Sequence, residues 1–319
     1  MNVESRLLEE LAGFRDETAG FEERFLTPTV GGARTVAVLS RPIGERSSRM
    51  VWVICHSFGV EQMWMQPAEV ALARTLARSG HAAVRYHSQG YADSEGRAED
   101  ITLSSHVADA AEAFDVAREV AGTDTVGLVG GRFGGSVAAL TAERRPASAL
   151  VLWDPIVDGR RYMNGLLRAA AVTQMSTAGR ADVTDGNAQE DLAAGGLVDV
   201  QGFPLNRAMI DEASRLDLRR DLSRFAGGSL LLQVSKSRTP RKDLSELAEH
   251  LERIGGMNEF DIIVDEAARS FGQQRFHASS DGRFKADAQA AMSDALIGRT
   301  VSWIRSRAGG TARIESEAG

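Results

Sequence analysis

A side chain held at the tip of a sharp strand-to-helix turn is presented for attack on a substrate, and residues 125–140, TVGLVGGRFGGSVAAL, have that layout. An apolar run ends in Gly130-Gly131, a second pair, Gly134-Gly135, opens a helix, and the residue at the tip is Arg132. Acyl transfer at such a tip needs an oxyanion or thiolate nucleophile activated by a neighbouring base. A guanidinium keeps its proton above about pH 12 and carries only donors, so position 132 cannot supply one. What it can do is hold an anion, together with the free N–H groups of a helix start. Two outcomes stay open. Either Arg132 binds the carboxylate or oxyanion of a ligand, or it pairs with an internal acid such as Asp154 and plugs the site.

The elements that must position this turn follow from apolar periodicity. Short apolar runs, several rich in β-branched residues, recur at 50–55 (MVWVIC), 81–87, 125–130, 149–153 (ALVLW), 229–234 and 259–264, and read as six buried strands. Helical patterns lie between them, as in Leu103, Val107, Ala110, Phe114 and Ala117, which share one face. Alternation of strand and helix predicts a mostly parallel sheet with helices on both faces. Ahead of it, residues 23–42 predict an antiparallel hairpin around Gly31-Gly32. The alternation breaks at 160–223, a passage rich in Gly, Ala, Asp and Asn that reads as an insertion over the strand ends. The expected organisation is a core in two parts, 1–159 and 224–307, a lid insertion at 160–223 and a flexible tail at 308–319.

Composition narrows the chemistry. The chain of 319 residues is 43% hydrophobic and 25% charged, with a net charge of -7 and no dense Lys/Arg run, which argues against nucleic acid as a partner. No apolar stretch is long enough for a membrane span, and the first residues lack an apolar signal core, so a cytoplasmic location is expected. One cysteine, Cys55, leaves no intramolecular disulfide, and six scattered histidines give no metal-ligand spacing, so neither a metal nor a cofactor is expected.

The chain resembles the α/β-hydrolase superfamily at three ordered places: VWVICHSFG at 51–59, VRYHSQGYADSEG at 84–96, and the elbow itself. In the first, His56 matches the family's strand-His-Gly segment and Ser57 stands where glycine is usual. In the second, His87, Gln89 and Ala92 replace an aspartate, an arginine and a glycine. A closer resemblance is to the hydrolase-like proteins associated with the bacterial exosortase A system, in VEQM, a Gly-x-Arg-x-Gly elbow and LVLWDPIVDGRRYMNGLLR. The superfamily implies an α/β-hydrolase fold with an inserted helical lid, an oxyanion site built from the N–H groups of Phe133 and of the loop at Ser57 and Phe58, a histidine near His277 and an acid at Asp154. His87 is expected beneath the pocket, and His56, Cys55, Met63, Trp64 and Met65 are expected to pack. Arg238 falls where the usual acid would stand.

The expectation that follows is an enzyme without an elbow nucleophile, in which Arg132 holds a carboxylate or oxyanion while His277, oriented by Asp154, moves a proton or activates water. The alternative is a non-catalytic pseudo-hydrolase that binds an acyl or carboxylate ligand, or a protein partner. In either case the partner is a small molecule or peptide bearing a carboxylate or acyl group, and a homo-oligomer is allowed.

Overall fold

The computed structural model describes residues 12–44, 50–177, 196–255, 258–265, 271 and 286–317, with side chains described to residue 171 in the segment that ends at 177, and from 292 to 307 in the last. All six expected strands form. They are β6 Val51–Cys55, β7 Ala82–Tyr86, β8 Val126–Gly131, β9 Ala149–Trp153, β12 Gly228–Ser235 and β13 Asn258–Val264. The amino-terminal half adds β1 Gly13–Asp16, β2 Phe21–Leu26, the two-residue arms β3 Thr29–Val30 and β4 Ala33–Arg34, and β5 Ala37–Pro42. Nine of these strands make one sheet in the order β1-β2-β5-β7-β6-β8-β9-β12-β13. Pairing is antiparallel from β1 through β5 to β7 and parallel from there on. The hairpin thus extends the parallel sheet at one edge, and β1, which the sequence pattern did not reveal, lies beyond it.

Every residue of β6, β8 and β9 is buried, because helices cover both faces. Alternation along β6 divides the core: Val51, Val53 and Cys55 face one side, Trp52 and Ile54 the other. On the first side pack α2 Leu103–Ala121, α3 Arg132–Ala142 and α7 Lys242–Arg253, and on the second α1 Val60–Arg78 and α8 Ala286–Glu317. Trp153 of β9 donates its indole N–H to Thr300 of α8 at 2.9 Å, tying the last helix to the sheet. That helix continues past Ala308, where the flexible tail was expected to begin. Between β9 and β12 come α4 Gly159–Thr177, the hairpin β10 Val198–Val200 with β11 Phe203–Leu205, and the short helices α5 Arg207–Arg215 and α6 Leu218–Asp221.

The register of the parallel strands sets the site. Gly131 pairs with Trp153, so β8 and β9 end level, and Cys55 pairs with Gly130, so β6 ends one residue short of them. The next residue on β8 is Arg132 and on β9 is Asp154, and both leave the sheet in the left-handed region, at φ 53° and 47°. Glycine is needed close by for space. A Cβ on Gly130 would lie 2.3 Å from the Gly134 carbonyl oxygen, and one on Gly134 2.3 Å from the Cys55 carbonyl oxygen. Ser57 closes the clamp: its Oγ donates to the Gly131 carbonyl at 2.7 Å and accepts from the Gly134 N–H at 3.3 Å. Because Gly134 meets backbone, which cannot step aside, Gly134→Ala is expected to destabilise the protein by about 3 kcal/mol or more, read by urea denaturation. A loss below about 1 kcal/mol would mean that the turn is not held against β6 in this way.

Candidate functional site

Arg132 starts α3, at the tip of the turn, and its guanidinium is almost enclosed, with 15% of the side chain exposed. Its Nη1 donates to Asp154 Oδ2 at 2.9 Å and also reaches the Asp154 carbonyl at 3.4 Å. Asp154 is shared. Arg241, just ahead of α7, donates Nη1 to Asp154 Oδ1 at 3.0 Å and spans to Asp243 with Nε at 3.0 Å. On the other side, Arg132 Nη2 stands 3.5 Å from Glu61 Oε1, at the limit of a hydrogen bond. The residues from Glu61 through Arg132, Asp154 and Arg241 to Asp243 therefore form one chain of alternating charge across the tops of α1, α3, β9 and α7.

Glu61 lies in the first turn of α1, is 2% exposed and faces the site. Burial raises its pKa, and Arg132, the Tyr162 phenol and the Phe133 backbone N–H offset only part of that effect. Phe133 follows the elbow residue, so its N–H is the oxyanion donor that the superfamily resemblance implies, and here it meets a carboxyl group of the protein itself. Burial would lower the Arg132 pKa, but Glu61 and Asp154 more than reverse this and hold the guanidinium charged. The set is not fully satisfied. Glu61 Oε2, Arg132 Nε and the Tyr162 hydroxyl are buried without a well-formed hydrogen bond, although the phenol lies close enough to Glu61 to act on its charge.

Beside this row opens a cavity of about 480 Å³. Its lining includes the charged Arg132, Glu61 and Arg241 and the largely apolar Trp64, Tyr162, Leu166 and Val200. Trp64, expected to pack, thus lines the cavity, while Met65 is buried and Met63 exposed. Much of the lining belongs to α4 and the β10–β11 hairpin, within the insertion expected at 160–223.

The candidate residues separate into two groups. Arg132 and Asp154 come together at the cavity, and Phe133 contributes its backbone N–H there while its ring packs between His106 and Tyr162. Ser57, in the loop whose N–H groups were expected at an oxyanion site, is wholly buried, and its hydroxyl is consumed by the elbow backbone. Phe58 is also buried, 5.9 Å ring to ring from Phe133. His87 does not line the cavity; it stands edge-on to His56 at 6.2 Å, and burial lowers its pKa. His56 is fixed, with Nδ1 2.8 Å from the Ser57 carbonyl and Nε2 accepting from the Ser88 N–H at 3.1 Å. That pattern makes it the neutral Nδ1–H tautomer, and burial holds its pKa well down. Burial also lowers that of His106, to about 4. Burial pushes the Cys55 thiol up to about 12, so it is no displaced nucleophile. His277 lies outside the described residues. Arg238 is exposed, and it is Arg241 that reaches Asp154.

Glu61, Tyr162 and Arg241 were absent from the expected site. A signal for Glu61 existed: it shares the helical stripe Glu61, Met65, Ala68 and Leu72, which places an acid on the buried face of α1. Among the described residues no group of His, Cys, Asp and Glu could hold a metal, and no helix is long and apolar enough to cross a membrane.

A family profile described as serine aminopeptidase, S33, matches residues 46–194, which include the elbow. Similar solved structures include Est1E from Butyrivibrio proteoclasticus with ferulic acid bound, 17% identical, covering 88% of this chain and 99% of that one with a TM-score of 0.57. Brefeldin A esterase, a bacterial homologue of human hormone sensitive lipase, is also 17% identical, covering 94% and 80% with a TM-score of 0.51. An esterase of Pyrococcus furiosus is 10% identical, covering 81% and 87% with a TM-score of 0.51. No curated protein matches the chain significantly.

Two predictions follow from the charge row. Asp154→Ala leaves two guanidinium groups without their shared acid and is expected to cost about 3–5 kcal/mol in urea denaturation. Arg241→Ala removes a side chain that is 41% exposed and is expected to cost about 1 kcal/mol; similar losses in both variants would contradict this ranking. The second concerns pH. The folded chain holds the Glu61 proton more tightly than the unfolded chain, so this contribution to stability is present at low pH and lost as pH rises through the raised folded value. Glu61→Gln lacks that loss. Its melting temperature relative to wild type is expected to be higher at about pH 8 than at about pH 5, and a flat difference would place Glu61 in ordinary solvent.

The continuous sheet, the strand-elbow-helix turn on β8 and these structural likenesses together show that the chain has the α/β-hydrolase fold.

Proposed function

We propose that the protein is a pseudo-hydrolase that binds a small acyl- or carboxylate-bearing molecule in the cavity above the elbow, without forming a covalent acyl-enzyme. The observation that carries this reading is the 2.9 Å pair between Arg132 and Asp154. At the elbow stands a group that cannot attack, and among the described residues the acid beside it is engaged by two arginines. Of the two readings drawn from the sequence, this geometry favours the second. The cavity volume is in the range of small-ligand sites, and its mix of apolar and charged lining suits a molecule with a hydrocarbon body and a polar end. The resemblance to the exosortase A-associated hydrolase-like proteins supports the reading too, because an arginine recurring at the elbow of a subgroup is no isolated lesion.

The test pairs activity with binding. Gly165 lines the cavity, and a Cβ there meets nothing within 4 Å, so Gly165→Trp fills the cavity without opposing the backbone. Wild type is expected to hydrolyse p-nitrophenyl butyrate no faster than buffer. In a thermal-shift panel of fatty acids, ferulate and acyl-CoAs, at least one compound should raise the melting temperature of wild type but not of Gly165→Trp. Steady ester turnover abolished by Glu61→Gln would overturn the proposal in favour of an enzyme. A thermal response that survives Gly165→Trp would place the ligand elsewhere.

A further inference from the structure

Three buried atoms at the elbow lack a well-formed hydrogen bond, and their residues meet at one place: a carboxylate oxygen of Glu61, the Nε of Arg132 and the hydroxyl of Tyr162, which lies beside Glu61. A finished salt bridge leaves no such remainder. The contrast within the row is sharp. Arg132 holds Asp154 at 2.9 Å, with a second contact to its carbonyl, but holds Glu61 only at 3.5 Å and through one oxygen. The Phe133 N–H also points at Glu61. Two kinds of donor thus converge on a spot that an anion should fill, and the anion present fits it poorly.

We propose that the elbow is a carboxylate-binding site which the protein fills with its own Glu61, and that a ligand carboxylate binds by taking Glu61's place on Arg132 and the Phe133 N–H. This rests on the ligand-binding reading above and adds where the ligand's charged end goes. Exchange leaves the charge of the row unchanged if Glu61 takes a proton from solvent as it is displaced, and a neutral Glu61 then has the Tyr162 hydroxyl beside it. The groups that set its titration are Arg132 and the Phe133 N–H from the elbow and Tyr162 from α4, with Asp154 and Arg241 behind Arg132. Burial already holds Glu61 closer to its neutral form than a solvated carboxylate. Arg132 is then retained as a donor that Asp154 orients, and Glu61 keeps the site closed to water and stray anions.

Formate is the probe, because it is the smallest carboxylate and needs no apolar lining. Melting temperature is followed as formate is added, against sodium chloride at equal ionic strength. At about pH 8 wild type is expected not to respond, whereas Glu61→Ala should show a saturable rise that disappears when Arg132→Met is added to it. Because the raised Glu61 pKa makes its neutral form more accessible as pH falls, wild type itself should become more responsive at about pH 5 than at about pH 8. Equal responses in wild type and Glu61→Ala, a response that persists without Arg132, or none in folded Glu61→Ala would each overturn the proposal. If Glu61→Ala does not fold, the wild-type comparison decides, and no response at either pH overturns it. Failure here is distinct from failure of the ligand-binding reading. Formate binding to Glu61→Ala with no larger ligand for wild type leaves the exchange site standing, while a cavity ligand for wild type with no formate response removes only the exchange.

Discussion

Gly131 and Trp153 are paired in the parallel register, so the chain leaves β8 and β9 at the same height and sets Arg132 beside Asp154. Both residues are left-handed, a conformation that costs a side-chain-bearing residue about 1–2 kcal/mol. The salt bridge between them offsets that strain only because both ends are enclosed and because Arg241 completes the acid. Remove the acid and two guanidinium groups face one another across the sheet end; remove Arg132 and the strained turn presents a cavity to solvent. The glycine clamp, the Ser57 hydroxyl and the level strand ends all serve to bring these two side chains within 2.9 Å.

The parts of this arrangement legible in the sequence are those governed by local pattern. The six core strands could be read because burial on both faces leaves each as an unbroken apolar run, and the elbow because Gly130, Gly131, Gly134 and Gly135 have a steric reason to be glycine. Arg132 and Asp154 were legible for the same reason, since each directly follows such a strand. Residues brought in by non-local packing were not. Arg241 sits six residues beyond β12 among other basic residues, and only the fold decides that it, and not Arg238, turns inward. Strand β1 pairs at an edge with exposed residues and so lacks the buried run that marks the others. In the loop at Ser57 and Phe58, whose N–H groups were expected at an oxyanion site, the side chains are spent on packing and on the elbow itself, and the Gly59 N–H goes to the Tyr91 hydroxyl at 3.3 Å.

A second buried acid on α1 shows why Glu61 is singled out. Glu69 is 5% exposed, has an unpartnered oxygen and is pushed up to about 8 by burial, against Arg85 and Gln62. By charge and burial alone the two glutamates are alike. Glu69, however, does not line the cavity and sits under α1 against the sheet, near Cys55 and Tyr86. A protonated carboxyl in that position is a neutral core residue, and nothing from outside can reach it. Glu61, two turns earlier, meets the same desolvation but lines a cavity, with two donors of different origin aimed at it. Access, not the shifted proton affinity, separates a packed acid from an exchangeable one.

That distinction also bears on what an arginine does at a nucleophile elbow. A core that had only lost its chemistry could fill the turn with a neutral side chain and avoid burying any charge, which is often the more stable choice. Keeping a guanidinium there requires a compensating acid, and one suffices: Asp154 supplies it at 2.9 Å. Glu61 is then a surplus anion, buried against its own desolvation and held at 3.5 Å. A structural plug gains nothing from a poorly held surplus charge at its cavity face. A site that must stay closed when empty, yet release its occupant to a carboxylate, requires that combination of one firm partner and one weak one.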